Sequence, residues 1–318
     1  MYSYWSCKST YFKIVERIID VGKIIKAGFW VFITFGLFGI ITLFEVREWP
    51  VGSAIAGLLA GFTLPNINTS IQDIFDDSNW KESQRKYERG KLITKEDKIR
   101  LSFAYLFRIK IDNEYLLVKN ERGTGKYQPV GGVYKMKSEE AIVLRQKFSA
   151  SDDDKIPIDE SSKGDYRIWI PDKYLRKFVR RFDRTKGREQ LENLSREFRE
   201  ELIDTGLLHF EQLKYRYCGR HFEKIRFSQH FQCYELLMAD IIDVELDSVQ
   251  ENELRRLKNI SSEQYLFATA EQINSLGIKA GTNKLQEIIG DHTTKILQEN
   301  AHNLIKTSDC KKVFKVNL

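Results

Sequence analysis

Three glutamates, Glu197, Glu200 and Glu201, recur at i, i+3 and i+4, a spacing that puts their carboxylates on one helical face. Carboxylates this close repel one another unless a cation or an arginine compensates. Clustered oxygen donors suit Mg2+ holding phosphates, and Arg196 and Arg199 stand beside them. The pattern is therefore either a metal-binding edge or an exposed acidic stripe. Upstream, Gly131 and Gly132 in ERGTGKYQPVGGVY permit a backbone approach that side chains would block, although a glycine pair alone denotes only a turn. A third feature is KYLRKFVRRFDRTKGR, residues 173–188. A helix there gathers Leu175, Phe178, Val179 and Phe182 on one face and exposes Arg176, Lys177, Arg180, Arg181 and Arg184. Such a basic face can grip ligand phosphates, rest on anionic lipid or stand in solvent.

These groups need elements to hold them. At 100° per residue, a helix over residues 187–208 gathers Leu191, Leu194, Phe198 and Leu202 within an arc of about 80°, and the three glutamates within a separate arc of about 100°. Residues 101–109 and 114–118 are short, aromatic-rich apolar runs separated by Asp112 and Asn113, which predicts a β-hairpin. Further strands are expected at 214–220 and 226–240, followed by the segment LFATAEQINSL. An insertion is expected at about 135–186, and its part at 135–170 reads as surface with little core, marked by the acidic cluster Asp152, Asp153 and Asp154.

The N-terminal quarter has a different character. Residues 27–44 form 18 consecutive uncharged positions, close to the minimum that crosses a hydrocarbon core as a helix. Their Phe, Ile, Leu and Val residues contribute about −5 kcal/mol on an insertion scale. A second uncharged run covers residues 49–72, with Trp49 and Pro50 suited to an interfacial helix start. Only Glu45 to Glu48 join the two, so residues 27–72 predict an antiparallel hairpin. Lys8, Lys13, Arg17, Lys23 and Lys26 precede it, and Lys81, Arg85 and Lys86 follow it. The loop carries only Arg47, so both termini are expected on the cytoplasmic side. In the second run Gly57 and Gly61 form a GxxxG, with Ala56 and Ala60 in parallel register. The small residues serve either self-association or the hairpin's own packing.

The expected plan is then an N-terminal segment at 1–26, the hairpin at 27–72, a charged juxtamembrane linker or helix at 73–98, one domain at 99–290, and a terminal helix or tail at 291–318. The formal charge of +6 is a small excess over many charges of both signs. Cys7, Cys218, Cys233 and Cys310 form no CxxC pair, which suggests neither a zinc site nor a disulfide framework.

The stretch Arg196-Glu197-Phe198-Arg199-Glu200-Glu201 is similar to the Nudix box, whose core reads Arg-Glu-apolar-any-Glu-Glu. Upstream, QPVGG at 128–132 resembles that family's Pro-Gly-Gly strand end. The resemblance covers roughly residues 99–290. It implies an α/β fold, a Nudix-like α/β/α sandwich with a mixed sheet. It also implies that Glu197, Glu200 and Glu201 hold Mg2+ for attack on a nucleoside diphosphate linkage, with Glu200 the catalytic residue of a hydrolase. The box departs from the pattern: Ile203 stands where glycine is expected, and Gly206 comes three residues late. An alternative register, Arg199-Glu200 with Thr205-Gly206-Leu207, restores the glycine but sets Ile203 and Asp204 at the carboxylate positions.

A two-helix hairpin joined to a divergent Nudix domain resembles the two-transmembrane SMODS-associated Nudix effectors of CBASS anti-phage systems. That likeness implies a two-pass protein of the bacterial inner membrane whose partner is a cyclic oligonucleotide rather than a nucleic-acid polymer. Gly131, Gly132, Arg196, Arg176 and Arg180 would contact the ligand. Gly57 and Gly61 would assemble a homo-oligomer among membrane lipids. The alternative is a membrane-anchored, Mg-dependent hydrolase of a nucleoside diphosphate derivative.

Overall fold

Nearly every side chain of β1 (Lys98–Arg108) is buried or half-buried, so this strand must be covered on both faces. The computed structural model describes residues 2–75, 80–120, 125–156, 162–278, 285, 287–306 and 308–318, with the backbone alone at 2–23, 69, 72–75, 308 and 311. Residues 121–124 of the glycine-rich stretch lie outside it. Two units divide the chain, Met1–Thr94 and Lys95–Leu318.

In the second unit β1 runs parallel to β10 (Cys233–Val244). β10 pairs with β8 (Gln212–Phe222), and β8 with β12 (Val313–Asn317). On its other edge β1 pairs with β7 (Arg167–Pro171) through its first half and with β5 (Gly131–Val133) through its second. β6 (Ser151–Asp152) and β9 (Arg226–Ser228) complete a mixed sheet of eight strands. A smaller sheet contains β2 (Lys110–Ile111), β3 (Glu114–Lys119), β4 (Tyr127–Gln128) and β11 (Tyr265–Thr269).

Alternation along β1 decides what covers each face. Phe103, Tyr105 and Phe107 point one way, into a cluster of aromatic rings. Phe103 meets Phe178 and Phe182 of α5 (Leu175–Phe182), and Phe107 meets Phe198. Leu106 points the other way and packs with Tyr115 and Leu117 of β3, with Ile273 of α8 (Ala270–Asn274), and with Ile296 and Leu297. The closing strand and helix of LFATAEQINSL are thus β11 and α8, and α7 (Ser248–Lys258) precedes them.

Several expectations need correction. The predicted hairpin of 101–109 with 114–118 is in fact β2 with β3: Asp112 and Asn113 both take positive φ (47° and 67°), as a two-residue primed turn requires, while β1 belongs to the other sheet. The predicted strand 226–240 folds back on itself as β9 and β10. Residues 135–170 are not short of core. They supply α4 (Ser138–Phe148) and most of β7, with Tyr166, Ile168 and Ile170 essentially inaccessible. Within the expected acidic surface cluster, Asp153 is buried against Arg100 at 2.7 Å. Residues 291–318 are not a tail, because short helical turns bury Ile296 and Leu297, and β12 then extends the sheet.

The first unit contains α1 (Tyr2–Val46), α2 (Pro50–Phe75) and α3 (Trp80–Arg89). Ile24–Val46 and Pro50–Asn68 are long and apolar enough to cross a membrane. Phe29, Phe32, Phe35, Leu58 and Phe62 are exposed, which suits lipid. Between the helices Ala56 and Ala60 are buried, and Thr34 Oγ1 donates to Thr63 Oγ1 at 2.7 Å. Gly57 and Gly61 face outward, and a Cβ at either would meet nothing within 4 Å. The two readings of the small residues therefore divide: the alanines pack the hairpin, and the glycines do not.

Candidate functional site

The predicted helix over 187–208 is interrupted. Residues Leu191–Asn193 make one 3-10 turn and Leu194 is extended, so the helix begins only at α6 (Arg196–Phe198). The cause is Tyr215, whose hydroxyl donates to the Leu191 carbonyl (2.8 Å) and accepts from the Leu194 N–H (3.0 Å), replacing the bonds a helix would make. Leu194, Phe198 and Leu202 are nevertheless fully buried, as the apolar periodicity predicts, whereas Leu191, expected on the same face, is only half-buried. Beyond Phe198 the chain widens into a π-helix, Arg199–Ile203, a feature that often marks functional segments. Gly206 follows in the left-handed region (φ 72°), and its N–H bonds the Ile203 carbonyl at 2.9 Å. The late glycine of the box is therefore the helix stop, delayed because the wide turn carries the helix on.

β5 brings the glycine pair against this helix. Gly132 and Gly131 sit opposite Tyr105 and Leu106 of β1, and Tyr134, just past the end of β5, donates to buried Asp240 at 2.8 Å, which anchors the strand end. A Cβ at Gly131 would collide with the Tyr105 carbonyl, and one at Gly132 would coincide with the Glu197 carboxylate. Gly131 is held to glycine by backbone, whereas a Cβ at Gly132 would have to displace the Glu197 side chain.

Arg196 is the hub. Its Nε and Nη2 donate to Glu189 (3.0 and 3.4 Å), Nη2 also donates to the Val133 carbonyl (3.1 Å), and Nη1 is bonded to Glu197. Glu200 lies 3.8 Å from the same guanidinium and is half exposed. Glu189 also accepts from the Lys135 N–H at 3.0 Å. Glu201 turns to the Gly131 N–H at 3.3 Å. Burial raises the Glu197 carboxyl above its ordinary pKa, opposed by Arg196. Burial raises the Tyr105 hydroxyl beneath the cluster as well, with Glu189 adding to the shift and Arg196 opposing it.

The structure thus brings Gly131, Gly132, Arg196, Glu197, Glu200 and Glu201 together, but spends the carboxylates separately. Glu197 is closed on Arg196, Glu201 on the backbone, and Glu200 faces outward. Among the described residues no three acidic, histidine or cysteine side chains group to hold a metal ion. As arranged, these residues do not fit a three-carboxylate magnesium cradle. Arg176 and Arg180 lie on α5, which packs over Phe103 rather than Phe107. Arg181, expected to be exposed, is instead clamped on buried Glu140 by Nε and Nη2 (2.8 and 2.6 Å). Sequence reasoning missed Glu189 and Tyr215. Glu189 lies outside the helix, where periodicity has no bearing, and a strand tyrosine gives no signal of what its hydroxyl will hold.

A mixed sheet, a glycine strand end and an Arg-Glu helix set against it define a Nudix-type domain. The model of the SMODS-associated NUDIX domain matches residues 98–297, and the chain belongs to that family. No curated protein and no solved structure matches it.

Proposed function

We propose that the chain is a membrane effector of a CBASS antiviral system. Its Nudix domain binds a cyclic oligonucleotide without hydrolysing it, and its hairpin then self-associates and disrupts the inner membrane. The SMODS association of the domain and two helices able to cross a membrane support the setting. The observation that carries the sensor reading is the closure of Glu197 on Arg196 beside Gly132. A box locked in this way presents a shaped surface and one half-exposed carboxylate, Glu200, in place of converging metal ligands. Gly131, Gly132 and Arg196 are the ligand contacts in this reading, and outward-facing Gly57 and Gly61 the assembly face.

The test uses full-length protein in dye-loaded liposomes. Cyclic oligonucleotides are added singly, and turnover of nucleoside diphosphates is assayed in parallel with Mg2+. The sensor reading expects leakage with at least one cyclic oligonucleotide, undiminished in Glu200→Gln. Metal-dependent turnover that Glu200→Gln abolishes would instead establish the anchored hydrolase.

A further inference from the structure

The charge of this molecule is concentrated in one place. Residues 173–188 contain eight basic side chains and one acidic, a net +7, against +6 for the whole chain, so the other 302 residues sum to −1. The fold sorts these charges. Arg181 is held by Glu140, Arg188 lies buried with its guanidinium 4.5 Å from the Phe182 ring centroid, and Lys173 bonds Glu96 at 2.6 Å. Asp183, the single acid, is bound to Arg220 at 2.5 Å.

What remains outside is cationic. Lys177, Arg180, Arg184 and Lys186 are exposed and Arg176 is half-buried. Among the described residues no carboxylate pairs with Lys177, Arg180, Arg184 or Lys186. On α5 itself, Arg176, Lys177 and Arg180 fall within an arc of about 100°. The helix cannot turn to hide them, because Leu175, Phe178, Val179 and Phe182 are buried on its opposite side. Its apolar face is consumed by the core, so α5 has nothing left to insert and can act on a partner only through charge.

We infer that the outer face of α5 docks electrostatically on an anionic bilayer surface. Charge complementarity favours this occupant, since basic residues held near anionic lipid are attracted individually and additively. Chain continuity favours it too. The second candidate span ends at Asn68 and β1 begins at Lys98, so at most about 110 Å of chain separates the candidate span from the domain, and a tethered surface is met at high effective concentration. The inference rests on the hairpin crossing a membrane, as proposed above.

The experiment measures acetylation of Lys177 by an amine-reactive reagent on full-length protein in vesicles. Vesicles of phosphatidylcholine alone are compared with vesicles containing about one-third phosphatidylglycerol, and exposed Lys315 serves as internal reference. Acetylation of Lys177 relative to Lys315 is expected to slow about fivefold or more on the anionic vesicles. The rate should recover at about 0.5 M salt, where screening is nearly complete beyond one contact distance. Arg180→Glu with Arg184→Glu should remove the difference between vesicles. Equal ratios on the two vesicle types overturn the inference, as does protection on neutral vesicles that appears only when a cyclic oligonucleotide is added. Retention of protein after an alkaline carbonate wash reports on the hairpin alone, so failure of that reading is seen separately.

Discussion

The carboxylate of Glu197 occupies the place where a side chain on Gly132 would begin. Strand end and helix are therefore fitted to each other at one point, and Arg196 closes the joint by bonding Glu197, Glu189 and the Val133 carbonyl together.

Gly132→Ala should open this joint. Overpacking of this kind costs about 1–3 kcal/mol, seen as a lower melting temperature of the full-length protein in detergent. Adding Glu197→Ala should restore part of the loss, because it removes the colliding group. A double variant no more stable than Gly132→Ala alone would show that the strain lies elsewhere.

Tyr215→Phe removes one hydroxyl and leaves two backbone groups, the Leu191 carbonyl and the Leu194 N–H, without their partner. An unmet buried group costs about 1–3 kcal/mol, and the Leu194 N–H is the fully buried one of the pair, so the stability should fall by at least about that much. Amide exchange at Leu194 should accelerate more than exchange along β1.

Stability should fall on mild acidification through His221. Burial holds this imidazole below its ordinary 6.5, against a raising contribution from the hydrogen bond to the Lys295 carbonyl. As pH falls the unfolded chain takes up the proton first. The contribution is thus complete above about 6.5 and is lost as pH drops from there toward the depressed value. Melting temperatures from about pH 8 to about pH 5 should decline less steeply in His221→Gln; equal slopes would remove His221 as the source.

The two small-residue faces of α2 should separate by mutation. Ala60 is buried at 3% exposure, so Ala60→Leu should prise the helices apart and weaken cross-linking between cysteines placed by Thr34→Cys and Thr63→Cys. Gly57 meets nothing within 4 Å, so Gly57→Leu should leave that cross-link intact while reducing liposome leakage. Undiminished leakage in Gly57→Leu would exclude this face from assembly.

What could be read from residues alone follows the range of the forces involved. The two apolar runs, the buried face of α5 and the burial of Leu194, Phe198 and Leu202 are periodic, local signals, and they reappear in the structure. The pairing of β2 with β3 through Asp112 and Asn113 was legible only in part, because apolar content did not show that β1 would leave the hairpin for a second sheet. The core of residues 135–170 was hidden because Tyr166, Ile168 and Ile170 are buried by partners distant in sequence, among many polar neighbours. At the site, identities were legible and allegiances were not. Whether Glu197 faces a cation in solution or Arg196 beside it depends on where β5 comes to rest.

One relationship in the sheet bears on the order of events in the cell. β1 and β10 pair side by side, and Arg100 reaches Glu235 across 135 residues of chain, whereas Thr34 meets Thr63 across only 29. Contacts so unequal in span form at unequal speeds, and the distant partner must first be translated. The helical hairpin can thus be complete while the central strand of the domain still lacks its neighbour. On the ribosome, the arm proposed to disrupt the membrane precedes the receptor proposed to control it.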